Sequence, residues 1–117
     1  MRTTLLLFSF LFLIFFNSKA QTGVCDSLVV PNVITPNNDG FNDVWVIECI
    51  EYFPENEIQV YNRWGQMIYQ AFGYDNNWNG TWDQTKGDVP NGTYVYIIKL
   101  NKPGEEENIT GTITITR

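Results

Sequence analysis

Beyond residue 20 the apolar positions recur at every second residue, with no run at helical spacing. In TYVYIIKL, Tyr94, Tyr96, Ile98 and Leu100 fall on one side, and Val95, Ile97 and Lys99 on the other. That is the two-residue period of a half-buried strand. GTITITR sets Ile113 and Ile115 against Thr112, Thr114 and Thr116, a strand with one dry face. EIQVYNRW places Ile58 and Val60 opposite Gln59 and Tyr61. VWVIECI and LVVPNVI add two apolar runs, and Pro31, which has no N–H to donate, marks the second as an edge or bulged strand. Between the runs lie PENE, RWGQ, WNGTW, VPNGT and KPGEEEN, all rich in turn formers. The pattern predicts an all-β fold, an antiparallel immunoglobulin-like β-sandwich of about seven strands, with a small barrel as the alternative.

The first twenty residues follow a different rule. Arg2 precedes an almost wholly apolar run from Leu5 to Phe16, and Ser18-Lys19-Ala20 closes it. Twelve residues of helix span roughly 18 Å, short of the ~30 Å hydrocarbon core of a bilayer. Residues 1–20 therefore read as a signal peptide cleaved after Ala20, with 21–24 a short linker and 25–117 one domain. Removing Arg2 and Lys19 leaves five basic residues against thirteen acidic ones, a net charge of −8. Such a balance argues against nucleic acid or an anionic membrane surface as partner, and no second apolar run reaches spanning length. An exported, extracellular or surface-located product is expected. In an oxidising compartment Cys25 and Cys49, the two cysteines, are candidates for a disulfide closing a loop of about 25 residues. Two buried thiols are the other possibility, since sequence does not show whether the side chains face one another.

The chain lacks most catalytic chemistry. It has no histidine, and Ser27 is the sole serine beyond residue 20, so triads built on Ser-His or Cys-His and histidine zinc sites are excluded. Glu48, Glu51, Glu55 and Glu57 cluster, but acidic groups beside a turn are ordinarily a solvated surface, and no enzyme activity is expected. Trp45, Trp64, Trp78 and Trp82 serve either as core packing or as sugar-stacking platforms. Trp78 and Trp82 flank the Asn79-Gly80 turn and are the candidates for exposed stacking on a carbohydrate-binding or adhesive sandwich. Asn79 and Asn91 match the N-glycosylation pattern, but Asn-Gly is also the strongest hairpin-turn pair, and the turn accounts for both; Asn108 stays open.

TPNNDGFND, residues 35–43, is the most polar segment. A calcium loop needs oxygen ligands at alternating positions, a glycine at the bend and a late acid. Thr35, Asn37 and Asp39 fit the first, third and fifth positions, Gly40 the sixth and Asp43 the ninth, but Val46 stands at the twelfth. Calcium at Asn37, Asp39 and Asp43 thus competes with an Asx-type turn, in which Pro36 fixes φ and Asn37 and Asp39 accept nearby N–H groups. In that turn Gly40 takes the left-handed conformation.

VPNVITPNNDGFNDVW, VYNRWGQMIY, NNWNGTWD, VPNGTYVYIIKLN and GTITITR follow one another in order. The succession resembles the gliding motility-associated C-terminal domain of Bacteroidetes, the type B sorting domain of type IX secretion, from about Val24 to Arg117. The resemblance implies an immunoglobulin-like sandwich, in agreement with the alternation of the strands. It implies export by the general secretory pathway, then recognition by the type IX translocon and by outer-membrane partners of the SprF/PorP kind. It also implies partner-facing positions in the loop (Thr35, Pro36, Asn37, Asn38, Asp39, Gly40, Asn42, Asp43) and in the turn Asn62, Arg63, Trp64 and Gly65. Arg63 has a second possible role, a local ion pair with Asp39 or Asp43. Asn38 stands where the family has glycine, and asparagine tolerates positive φ. Signal peptide and sorting domain account for nearly all 117 residues, as in a free-standing module, an accessory subunit or a fragment. Asp26-Ser27-Leu28 resembles the Bacteroidetes O-glycosylation pattern at Ser27.

Overall fold

The computed structural model describes residue 25 and residues 27–83, 87–104 and 108–117, so the expected signal peptide and linker lie outside the described residues. Five strands form one mixed sheet: β1 (Val33–Ile34), β2 (Glu57–Tyr61), β3 (Met67–Phe72), β4 (Gly92–Lys99) and β5 (Asn108–Ile115). Their order is β1-β5-β4-β2-β3; β1 runs parallel to β5 and every other pair is antiparallel. A short 3₁₀ turn, Ile50–Tyr52, is the one helical element among the described residues.

The two-residue period sets the inner face. Tyr94, Tyr96 and Ile98 of β4, Ile58 and Val60 of β2, and Ile113 and Ile115 of β5 are all buried. Gly111 lies opposite Tyr96, and a Cβ there would collide with the Tyr96 ring and hydroxyl. The tyrosine covers its glycine neighbour, so the pair fills one side chain's volume.

The all-β expectation holds, but the architecture is one five-stranded sheet among the described residues, where about seven strands in two packed sheets were expected. The cover over the inner face comes from irregular segments carrying Trp45, Ile47, Ile50, Phe53, Tyr74, Trp78 and Val89. VWVIECI, expected as a strand, makes one isolated bridge, Val29 to Glu48. The reason lies in where its N–H groups go: Trp45 donates to the carbonyl of Trp78 at 2.9 Å, and Ile47 to Asn76 Oδ1 at 2.8 Å. Bonds to a loop carbonyl and a side chain satisfy the backbone without building a ladder.

Two polar hubs and a disulfide brace these irregular segments. The Tyr74 hydroxyl donates to the carbonyl of Trp45 at 2.6 Å and accepts the N–H of Trp78 at 3.0 Å. Burial, the largest influence, drives its pKa far above the usual phenol value. Asn56, 2 % exposed, donates to the carbonyl of Phe53 and accepts the N–H of Tyr74. Cys25 and Cys49 are joined, with Cα atoms 5.7 Å apart, which ties the start of the described chain to the 3₁₀ turn.

Candidate functional site

Strand directions decide which loops share an end of the sheet. β2 and β5 finish, and β4 begins, at the same end, because β4 is antiparallel to both. β1 runs with β5, so segment 35–43 emerges there, and the β2–β3 turn at 62–66 lies there too. The two segments expected to face a partner thus share one end of the domain. They sit at opposite edges of the sheet, with β5, β4 and β2 between, roughly 15–20 Å apart at the ~4.8 Å strand spacing.

The first segment is built around its own last residue. Asp43 Oδ1 accepts the N–H of Asn37 at 3.1 Å and of Asn38 at 2.9 Å, while Oδ2 accepts that of Gly40 at 2.8 Å. Asn37 Oδ1 accepts the N–H of Asp39, Asp39 Oδ1 that of Phe41, and Thr35 N–H closes the loop on the carbonyl of Asn42 at 2.8 Å. Asn38, Gly40 and Asn42 all have positive φ, at 61°, 84° and 53°. Desolvation pushes the Asp43 carboxyl up, but the converging N–H groups outweigh it and hold the pKa below its usual value. Oxygens of Asn37, Asp39 and Asp43, considered as calcium ligands, are engaged with backbone donors. Among the described residues no three acidic or cysteine side chains are grouped to hold a metal. Asp43 as the loop's centre was not apparent from sequence, since an acid at the end of such a segment looks equally like a ligand.

In the second segment Asn62 is buried and holds the turn together. It is 8 % exposed, and its Oδ1 accepts the N–H groups of Trp64 at 3.1 Å and Gln66 at 2.9 Å. That bonding pushes Arg63, Trp64 and Gly65 outward. The Arg63 guanidinium lies over the Trp64 ring, 4.4 Å from its centroid. The alternative of an Arg63 ion pair with Asp39 or Asp43 is not realised, because β5 and β4 lie between the strands that carry the groups.

The tryptophan expectation needs a correction. Trp78 is buried, stacked on Tyr69 at 5.0 Å and edge-on to Trp45 at 6.0 Å, with its indole N–H on the carbonyl of Thr81. Trp82 is half-buried against the core. The exposed tryptophan is Trp64, at 76 %. Hairpin spacing placed Trp78 at a turn, and only packing shows that its ring points inward. Ser27 is exposed.

Between the second segment and β4 is a cavity of about 230 Å³ lined by Arg63, Trp64, Trp82, Pro90, Thr93 and Tyr94, among others. Arg117 lies at the same end. Its guanidinium donates to the carbonyls of Val89 and Gly80 and pairs with Asp88 at 3.5 Å. Nothing in the sequence singled out Trp82, Tyr94 or Arg117 as neighbours of the Arg63 turn.

With this geometry in place, the relationships of the chain can be stated. The sequence profile of the CHU_C type IX secretion signal domain matches residues 28–115. The chain belongs to this family. No curated protein matches it. Its fold is similar to part of PorZ, described as an essential bacterial surface component of the type-IX secretion system of Porphyromonas gingivalis. The TM-score is 0.48 at 15% identity, over 85% of this chain and 13% of PorZ. The polar loop and the NRWG turn both fall within the matched residues and lie at one end of the sheet. Among the described residues no helix is long and apolar enough to cross a membrane.

Proposed function

We propose that the chain is a non-catalytic sorting and surface-association module of type IX secretion. Components of the outer-membrane translocon, or an outer-membrane partner of the SprF/PorP kind, read it at the end of the sheet that carries segments 35–43 and 62–65. Family membership over residues 28–115 is the observation that supports this reading. The self-capped loop adds to it. A loop whose shape is held by its own side chains loses little conformational entropy when a partner binds. Its product is delivered to the cell surface or the medium after export through the inner membrane.

The test is a fusion of residues 21–117 behind a signal peptide and a reporter in a type IX-competent bacterium. Export of the reporter is the expected result, with loss of export when segment 35–43 is replaced by a Gly-Ser linker. A reporter that stays periplasmic, while an established type B domain exports the same passenger, overturns the proposal.

A further inference from the structure

The cavity beside Arg63 exists because β4 outruns its neighbour. β2 and β4 stay paired down to Tyr61 and Val95, and the same register carried two residues further would set Arg63 opposite Thr93. The chain instead turns away at Asn62, whose carbonyl accepts the N–H of Gly65 at 3.0 Å. Thr93 is left without a strand on that side. Its partner on the other side, Thr114, gives its N–H to Asn32 of the segment leading into β1. The Thr93–Thr114 pair therefore exchanges no backbone bonds, and Thr93 turns its own N–H and C=O in the sheet plane toward the cavity. Among the described residues, no backbone group meets them.

The side chains around this short open edge have a defined chemistry. Trp64, Trp82 and Tyr94 give aromatic walls. The Tyr94 hydroxyl is spent on the carbonyl of Pro90, and Asn91 Oδ1 on the N–H of Arg117. The charged group on the rim is the Arg63 guanidinium. It lies over the Trp64 ring, and among the described residues no acceptor pairs with it. A stacked guanidinium keeps its in-plane N–H fork free for a carboxylate. Two of the five basic residues beyond residue 20, Arg63 and Arg117, are at this end of a chain whose charge over the same span is −8.

We infer that this cavity is a docking site for a short extended acidic peptide segment of a partner protein: its main chain pairs with Thr93, its carboxylate with Arg63, and an adjacent apolar or proline side chain fills the aromatic walls. Main-chain pairing at an open strand position gives affinity, and the flanking pockets give selectivity. A peptide offers its C=O and N–H in strand register to Thr93 and a carboxylate to Arg63; a neutral sugar ring offers Arg63 no charged partner. Arg117 is already paired with Asp88, so Arg63 is the cation at this site left to receive the carboxylate. The inference rests on the reading that the Asn62–Gly65 turn faces an export partner, and names the chemistry of that partner.

The experiment pans a random hexapeptide display library against the full exported protein and measures enriched peptides by titration. Enriched sequences are expected to carry Asp or Glu next to an aromatic residue or proline. Replacing that acid by its amide should weaken binding roughly tenfold or more, and Arg63→Gln should do the same. Combined, the two changes should cost no more than either alone, the signature of a direct pair. Methylation of one peptide N–H should abolish binding, and Trp64→Ala should weaken it, with the melting temperature unchanged in both protein variants. No enrichment, enrichment indifferent to Arg63→Gln, or binding of trigalacturonate in place of any peptide overturns the inference. The reporter fusion separates the two proposals. If Arg63→Gln abolishes peptide binding and export persists, the docking site stands and this turn's role in export falls. If Arg63→Gln blocks export yet no peptide binds, the export role stands and the docking site falls.

Discussion

The carboxylate of Asp43 and the N–H of Gly40 meet at 2.8 Å, and the other carboxylate oxygen takes the N–H groups of Asn37 and Asn38. One carboxylate thus gathers three of the loop's amides. Asp43→Ala should release these three amides. Hydrogen exchange at Asn37, Asn38 and Gly40 is expected to accelerate markedly while β4 and β5 amides stay protected. Unchanged exchange at the three amides would show that the loop is held by something else.

The same charge sets a pH response. The folded-state pKa of Asp43 lies below the ordinary 3.8, so its contribution is complete above that value and is lost as pH falls through the depressed folded value. Loop amides monitored by NMR in acid should therefore keep their shifts down to about pH 4 and move together below it. A transition centred above pH 5 contradicts this assignment.

Calcium is expected to leave the melting temperature of chelator-treated protein unchanged at millimolar concentration. A ligand bound only by the folded state must raise it. The oxygens that would coordinate the ion already hold backbone N–H groups. A rise of several degrees, lost in Asp39→Asn, would reverse this prediction.

Trp78 and Trp64 should behave oppositely. Trp78 is 2 % exposed and packed on Tyr69 and Trp45, so Trp78→Ala should cost about 3–5 kcal/mol in denaturant unfolding. Trp64→Ala, at an exposed turn, should stay within about 0.5 kcal/mol. Similar losses for the two would contradict the packing described.

Arg117→Met retains much of the apolar stem but removes the donors to the carbonyls of Gly80 and Val89. The expected loss is about 1.5–3 kcal/mol, the range for hydrogen bonds involving a charged group. Reduction of the Cys25–Cys49 bridge should cost a comparable ~3 kcal/mol, and the two losses should add because the sites share no partner.

Much was legible along the chain because strand alternation is local. The inward set Tyr94, Tyr96, Ile98, Ile113 and Ile115 follows from period two alone. So do the left-handed demand at Gly40 and the absence of histidine chemistry, each a property of single residues or near neighbours. Strand count was not legible in the same way. An apolar run such as VWVIECI satisfies its backbone with whatever acceptors tertiary packing brings, here the carbonyl of Trp78 and the side chain of Asn76, 29 residues from Ile47. Nor could alternation say that Trp78 turns inward while Trp64 stays out. Sequence by itself determined an all-β secretion signal domain with a rigid polar loop. Only the tertiary structure decided that this loop and the Arg63 turn share one end of the sheet, and that β4 overhangs β2 there. Both depend on long-range register, which no short window of residues encodes.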